Sequence, residues 1–176
     1  MTGQDGFSGR RQLKWWAFLG AALMATTAVE ADDHRGLTLS FGYDDLKKYR
    51  QASPLFALDY DFGALDEAER WSWRLGAMVM TDGDVWAGVG LRYRRPIFKI
   101  GWFFDASFGP GMYYRHDEVV GVSHFHLPMF RTEGGIGRVL ESGATLSVAS
   151  SHLSDAGLRE PAGSTETLFV RYGWRY

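Results

Sequence analysis

From residue 37 onward the chain repeatedly places residues of opposite character at alternate positions, the period-two signature of a strand with two unlike faces. The end of the chain shows it most clearly. Leu168, Val170, Tyr172, Trp174 and Tyr176 fall on one face, and Arg171, Gly173 and Arg175 on the other. No segment after residue 31 is a continuous apolar run long enough for a spanning helix. Such a chain must bury or immerse many apolar strand faces, and this need constrains the fold more than composition does.

The same alternation marks seven earlier segments. Leu37, Leu39, Phe41 and Tyr43 share a face, as do Phe56, Leu58, Tyr60 and Phe62. Trp71, Trp73, Leu75, Ala77 and Val79 form a third set, opposed by Ser72, Arg74, Gly76 and Met78. Val85, Ala87, Val89, Leu91 and Tyr93 form a fourth, and Trp102, Phe104, Ala106 and Phe108 a fifth. A weaker sixth strand spans about 126–139, where Phe130 and Ile136 oppose Arg131 and Glu133. A seventh runs from Ala144 to Ser154 with Leu146 and Val148 outward, and the eighth is 166–176.

Eight strands suit the smallest closed membrane barrel, so the predicted fold class is all-β, an eight-stranded antiparallel transmembrane β-barrel. Closure is obligatory in lipid, because an open edge leaves backbone groups unpaired in hydrocarbon. An 11-residue strand is roughly 36 Å long and, tilted near 45°, crosses roughly 25 Å of apolar thickness. The chain's aromatic ending, Tyr176, resembles the last strand of bacterial outer-membrane barrels. The inward face then carries Asp59, Arg74, Arg92, Asp105, Arg131 and Glu133, both signs together, which predicts an ion-paired plug and not an open pore. A soluble lipocalin-like barrel would turn the apolar face inward, where its Trp and Tyr residues would overfill a small lumen.

The N-terminus supplies the compartment. Arg10, Arg11 and Lys14 precede the apolar run Trp15 to Val29, which ends at Val29-Glu30-Ala31. A positive start, a short apolar run and small residues before a cut after Ala31 read as a secretory signal peptide. The run is shorter than the ~20 residues that a membrane anchor needs. Residues 1–31 are therefore expected to be a leader and residues 32–176 the barrel domain of an outer-membrane protein. A formal net charge of −2 provides no basic surface for nucleic acid. The absence of Cys excludes a thiol nucleophile and disulfides.

In an even-stranded barrel both chain ends lie at the periplasmic side, where turns are short. Gly63–Glu69, Arg94–Pro96 and Glu141–Gly143 are then periplasmic turns. Asp44–Pro54, Thr81–Asp84, Gly111–Ser123 and Asp155–Thr165 are outer loops.

On the seventh strand His152 and Ser154 share the parity of Leu146 and Val148, so both point toward lipid, as Glu166 does on the eighth. Polar groups on a lipid face are costly unless they pair or serve chemistry. His152 and Ser154 are about 6.6 Å apart along the strand, a gap that an imidazole bridges to a hydroxyl. Either Ser154 or His152 opposite Glu166 keeps the faces consistent. Ser, His and an acid are the parts of a nucleophile activated by an oriented base. Spacing alone slightly favours a second reading: Ser and His in the headgroup region, with Glu166 a rim charge.

The segment His152-Leu-Ser154-Asp-Ala-Gly157-Leu-Arg-Glu-Pro161, followed by Glu166, resembles the signature of the lipid A 3-O-deacylase (PagL) family. That signature has a His-x-Ser pair, then Asn-Ala-Gly-Leu, a basic residue, a Pro, and a Glu at the spacing that separates Glu166 from His152. The match is close over about residues 144–168 and looser from Phe130 to Gly143. It implies Ser154 as nucleophile, His152 as general base and Glu166 as the carboxylate that holds the imidazole. The implied substrate is lipid A within lipopolysaccharide, met in outer-membrane lipid, and the products are a free 3-hydroxy fatty acid and lipid A lacking that chain. The family's Asn after the nucleophile, an oxyanion donor, is Asp155 here; an ionised Asp accepts but does not donate, so Gly157 N–H becomes the alternative donor. Arg159 has two readings, a contact to a lipid A phosphate and an ordinary loop charge. The chemistry requires no metal or cofactor, and His124-Phe-His126 lacks a readable third ligand. Two other functions fit the residues: another interfacial lipid esterase such as a phospholipase, and a non-catalytic small barrel.

Overall fold

The computed structural model describes residues 35–44, 53–98, 101–116, 125–158 and 164–175, all within the unit Ala31–Tyr176. The expected leader, Arg159 and His124 lie outside the described residues, as do the side chains of His126 and Arg175.

Eight strands form a closed antiparallel barrel in chain order. They are β1 (Gly36–Tyr43), β2 (Pro54–Ala64), β3 (Trp71–Met80), β4 (Val85–Pro96), β5 (Trp102–Tyr114), β6 (Phe125–Val139), β7 (Thr145–Ser154) and β8 (Ser164–Arg175). The first and last strands close the sheet, with Leu39 opposite Tyr172 and Phe41 opposite Val170. Each ladder keeps one face apolar and outward. Trp71, Trp73, Trp102 and Trp174 are 45%, 47%, 40% and 37% exposed, all on the outer wall.

The interior has two tiers. Toward the short turns it is ionic. Arg74 donates to Asp61 (Nε–Oδ1 2.7 Å) and to Glu133; Arg92 pairs with Asp61 and Asp105; Arg131 pairs with Asp59 and Glu133. Arg171 reaches Asp105 at 2.6 Å and also bonds Glu133. This is the expected plug, enlarged by Asp61 and Arg171. Long side chains of both signs need width, and inward glycines provide it. A Cβ on Gly135 would lie 2.4 Å from Arg171 Nη2, and one on Gly76 would lie 2.4 Å from Asp59 Oδ1.

Toward the long loops the interior is apolar, built from Leu55, Met78, Met80, Trp86, Tyr113, Met129, Leu153 and Phe169. Trp86 keeps its indole N–H satisfied by donating to the Met129 carbonyl at 3.1 Å. Alternation alone does not reveal this tier, because here apolar residues fill the inward positions of strands whose outward face is also apolar.

Two connections differ from expectation. Arg94–Pro96 is not a turn: Arg94, Arg95 and Pro96 continue the ladder opposite Asp105, Phe104 and Phe103, and the chain turns after Pro96. A proline at the last position of a strand removes little pairing, and Arg94 faces its partner Asp105. The expected loop Gly111–Ser123 likewise starts late, because β5 extends to Tyr114. There Tyr113 packs beneath the mouth and its hydroxyl donates to Asp84 Oδ2.

Candidate active site

The β7–β8 ladder places His152 opposite Glu166 and Ser154 opposite Ser164. Of the two registers open to sequence reasoning, the chain adopts the one with His152 opposite Glu166. His152 Nδ1 lies 2.8 Å from Glu166 Oε1, with the side chains 42% and 22% exposed. Ser154, half-buried, follows His152 on the same outward face at the strand's last position. On the other flank, Thr132 stands opposite His152 and Phe130 opposite Ser154. Among the described residues, a side-chain bond joins His152 to Glu166, while Ser154 joins them by shared face and spacing.

The strand start that carries Glu166 is tied down from inside the barrel. Thr165 and Thr167, its neighbours, face inward and donate their hydroxyls to Asp44 Oδ1 at 2.5 and 3.3 Å. Asp44, at the end of β1, was not singled out in the sequence. It is far from Glu166 along the chain, and no local pattern announces the contact.

Beyond Ser154 the chain turns sharply. Ala156 and Gly157 have φ of +56° and +74°, and Leu158 N–H donates to the Asp155 carbonyl at 3.1 Å. Two successive left-handed residues inside such a bond describe a turn of the hairpin type that glycine favours at both central positions. Ala156 holds one of them at a steric cost of about 1 kcal/mol. Asp155 is buried, and its carboxylate accepts Gly157 N–H at 3.0 Å. Gly157 N–H, the alternative oxyanion donor, is thus already bonded to Asp155 in this conformation.

The PagL pattern, lipid A 3-O-deacylase, matches residues 11–175. The chain belongs to the lipid A 3-O-deacylase family. Like that family it is a carboxylic ester hydrolase with an outer-membrane barrel fold. Among curated proteins, no sequence matches it. The crystal structure of the outer membrane enzyme PagL is similar, with 17% identity and a TM-score of 0.60 over 80% of this chain and 99% of that one. The N-terminal β-barrel domain of Pseudomonas aeruginosa OprF is similar at 10% identity, with a TM-score of 0.50 over 82% of this chain and 100% of that one. At such identities the likeness is one of fold. Function therefore rests on the family match and on the site.

Proposed function

We propose that this lipid A 3-O-deacylase cleaves the 3-O-linked acyl ester of lipid A with Ser154 as nucleophile, His152 as base and Glu166 as its orienting carboxylate. The observation that carries the reading is the 2.8 Å contact between His152 Nδ1 and Glu166 Oε1, with Ser154 two residues on along the same face. A carboxylate on Nδ1 keeps the proton there and turns Nε2, unprotonated, into the acceptor for a serine proton.

Ser154 Oγ adds to the ester carbonyl carbon while its proton passes to His152 Nε2. The tetrahedral intermediate collapses, the C–O bond to the sugar breaks, and His152 returns the proton to the leaving alkoxide. Water then attacks the acyl-serine carbonyl as one of its protons passes to His152 Nε2; the acyl–Oγ bond breaks, His152 returns the proton to Ser154 Oγ, and the 3-hydroxy fatty acid is released. Glu166 carries no proton through the cycle; it stabilises the imidazolium. The developing oxyanion requires N–H donors, and the turn Asp155–Gly157 is the nearest stretch of backbone after the nucleophile. With Asp155 and Gly157 bonded to each other, the turn must open or offer a different amide when substrate binds.

The end of the barrel that carries these residues has the long connections, which in such barrels face the exterior. Lipid A in the outer leaflet then meets the site from the side, with its acyl chains along the apolar wall. Residues 1–31 act as the export leader in this reading.

The test is incubation of the purified barrel with lipid A and, separately, with a glycerophospholipid, reading products by mass spectrometry. Loss of a single 3-hydroxyacyl chain from lipid A supports the assignment. Release of fatty acid from the phospholipid alone would make the enzyme a phospholipase, and no product from either would leave a non-catalytic barrel.

A further inference from the structure

The short-turn mouth of the barrel, opposite the ester-cleaving end, holds a feature that hydrolysis does not use. A cavity of about 450 Å³ lies there, lined by Arg70, Ser72, Arg92, Arg94, Trp102 and Phe103 among others. Arg92 and Arg94 also belong to the ion network of the lumen. Among the described residues that network joins five guanidiniums, of Arg74, Arg92, Arg94, Arg131 and Arg171, to four carboxylates, of Asp59, Asp61, Asp105 and Glu133. One positive charge is left over.

The surplus falls at the cavity. Arg94 reaches Asp105 Oδ2 at 3.4 Å, the same oxygen that Arg92 holds at 3.2 Å. The other oxygen of Asp105 is taken by Arg171. Three guanidiniums therefore share one carboxylate. The Nε atoms of Arg92 and Arg94, like that of Arg131, are buried with no acceptor among the described residues, so both guanidiniums at the cavity keep a donor unused. Arg94 lies over the Phe103 ring, 4.1 Å from its centroid, which fixes the guanidinium at the cavity wall. Arg70 and Glu69, adjacent and exposed on the β2–β3 turn, add one cation and one anion to the lining, and Arg94 N–H donates to the Arg70 carbonyl at 2.8 Å.

We propose that this mouth binds the phosphate of a phospholipid headgroup. Guanidiniums match phosphate oxygens with paired, charge-assisted hydrogen bonds. Basic pockets at the membrane surface take up headgroups for the same reason. The cavity is also open to lipid: its lining includes Trp71 and Trp102 of the outer wall and Phe98, which is 70% exposed. A ligand with its phosphate at Arg94 lays attached acyl chains on those rings. Free phosphate shares the charged half of this recognition and lacks the apolar half.

The test uses the full chain folded in dodecyl maltoside micelles, titrated in a calorimeter with dihexanoylphosphatidylglycerol, with inorganic phosphate, and with dihexanoylglycerol, which lacks phosphate. Saturable binding of the phospholipid is expected, weakened about tenfold by Arg94→Gln and by Arg70→Glu, the scale of one charged hydrogen bond. Arg95→Gln, on an exposed side chain outside the cavity lining, should bind like the parent. Heat-modifiable migration on SDS gels reports folding; should Arg94→Gln not fold, Arg70→Glu, outside the ion network, decides alone. Phosphate binding as tightly as the phospholipid would overturn the lipid source. Equal binding by parent and variants, no saturable binding, or equal binding of dihexanoylglycerol would overturn the site.

Discussion

Gly157 N–H donates to Asp155 Oδ1 at 3.0 Å, closing a small ring within the turn that follows Ser154. The buried carboxylate therefore accepts a backbone N–H within its own turn, as Asp does in turns. Asp155→Asn retains an acceptor oxygen and should leave turnover on lipid A within about threefold of the parent. A carboxylate aimed at the oxyanion would instead oppose the reaction. Its replacement by a donor would then raise kcat by about 10²-fold, the scale of one oxyanion donor, and that gain would refute the turn assignment.

Ser154→Ala should abolish ester cleavage, a loss of about 10⁴-fold or more. The barrel should still fold, because Ser154 ends its strand and points away from the packed interior. Residual hydrolysis near the parent rate, measured on lipid A with folding checked by gel mobility, would reassign the nucleophile.

Glu166→Ala should cost less, about 10²-fold in kcat with KM little changed, since the carboxylate orients the base and does not react. An increase in KM with kcat intact would mean that Glu166 serves substrate binding.

Asp44 is a positioning residue in this scheme. Asp44→Ala removes the acceptor that Thr165 and Thr167 share and should lower kcat several-fold by loosening the strand start that carries Glu166. Asp44→Asn keeps an acceptor oxygen and should recover most of the rate. A loss of thermal stability without a change in kcat would make the contact purely structural.

Arg171→Met should destabilise the barrel by about 1–3 kcal/mol, because it removes one charged partner each from Asp105 and Glu133 while Arg92, Arg94, Arg74 and Arg131 still hold them. Urea unfolding in lipid vesicles measures it. A change below about 1 kcal/mol would mean that the remaining arginines re-pair the carboxylates.

Strand parity was legible in the sequence because lipid and lumen demand opposite side chains, and a strand can only alternate between them. Trp71, Trp73, Trp102 and Trp174 follow from that rule, as do Asp59, Arg74 and Arg131 on the inner face. Closure was legible too, since hydrocarbon tolerates no open edge. Strand ends were less so: Pro96 suggested a turn, yet the ladder continues because Arg94 faces Asp105 across it.

Parity says which face a residue occupies but not which residue it meets. His152 and Ser154 were equally good partners for Glu166 until pairing put His152 opposite it. Arg171 meets Asp105, and Asp44 holds Thr165, across separations that no local pattern spans. The apolar tier around Trp86 and Phe169, and the bond that occupies Gly157 N–H, arise in the same way. Alternation is a property of each strand alone and is written in its residues. Register, charge pairing and the geometry of the turn depend on how all eight strands close on one another, and only the folded barrel decides them.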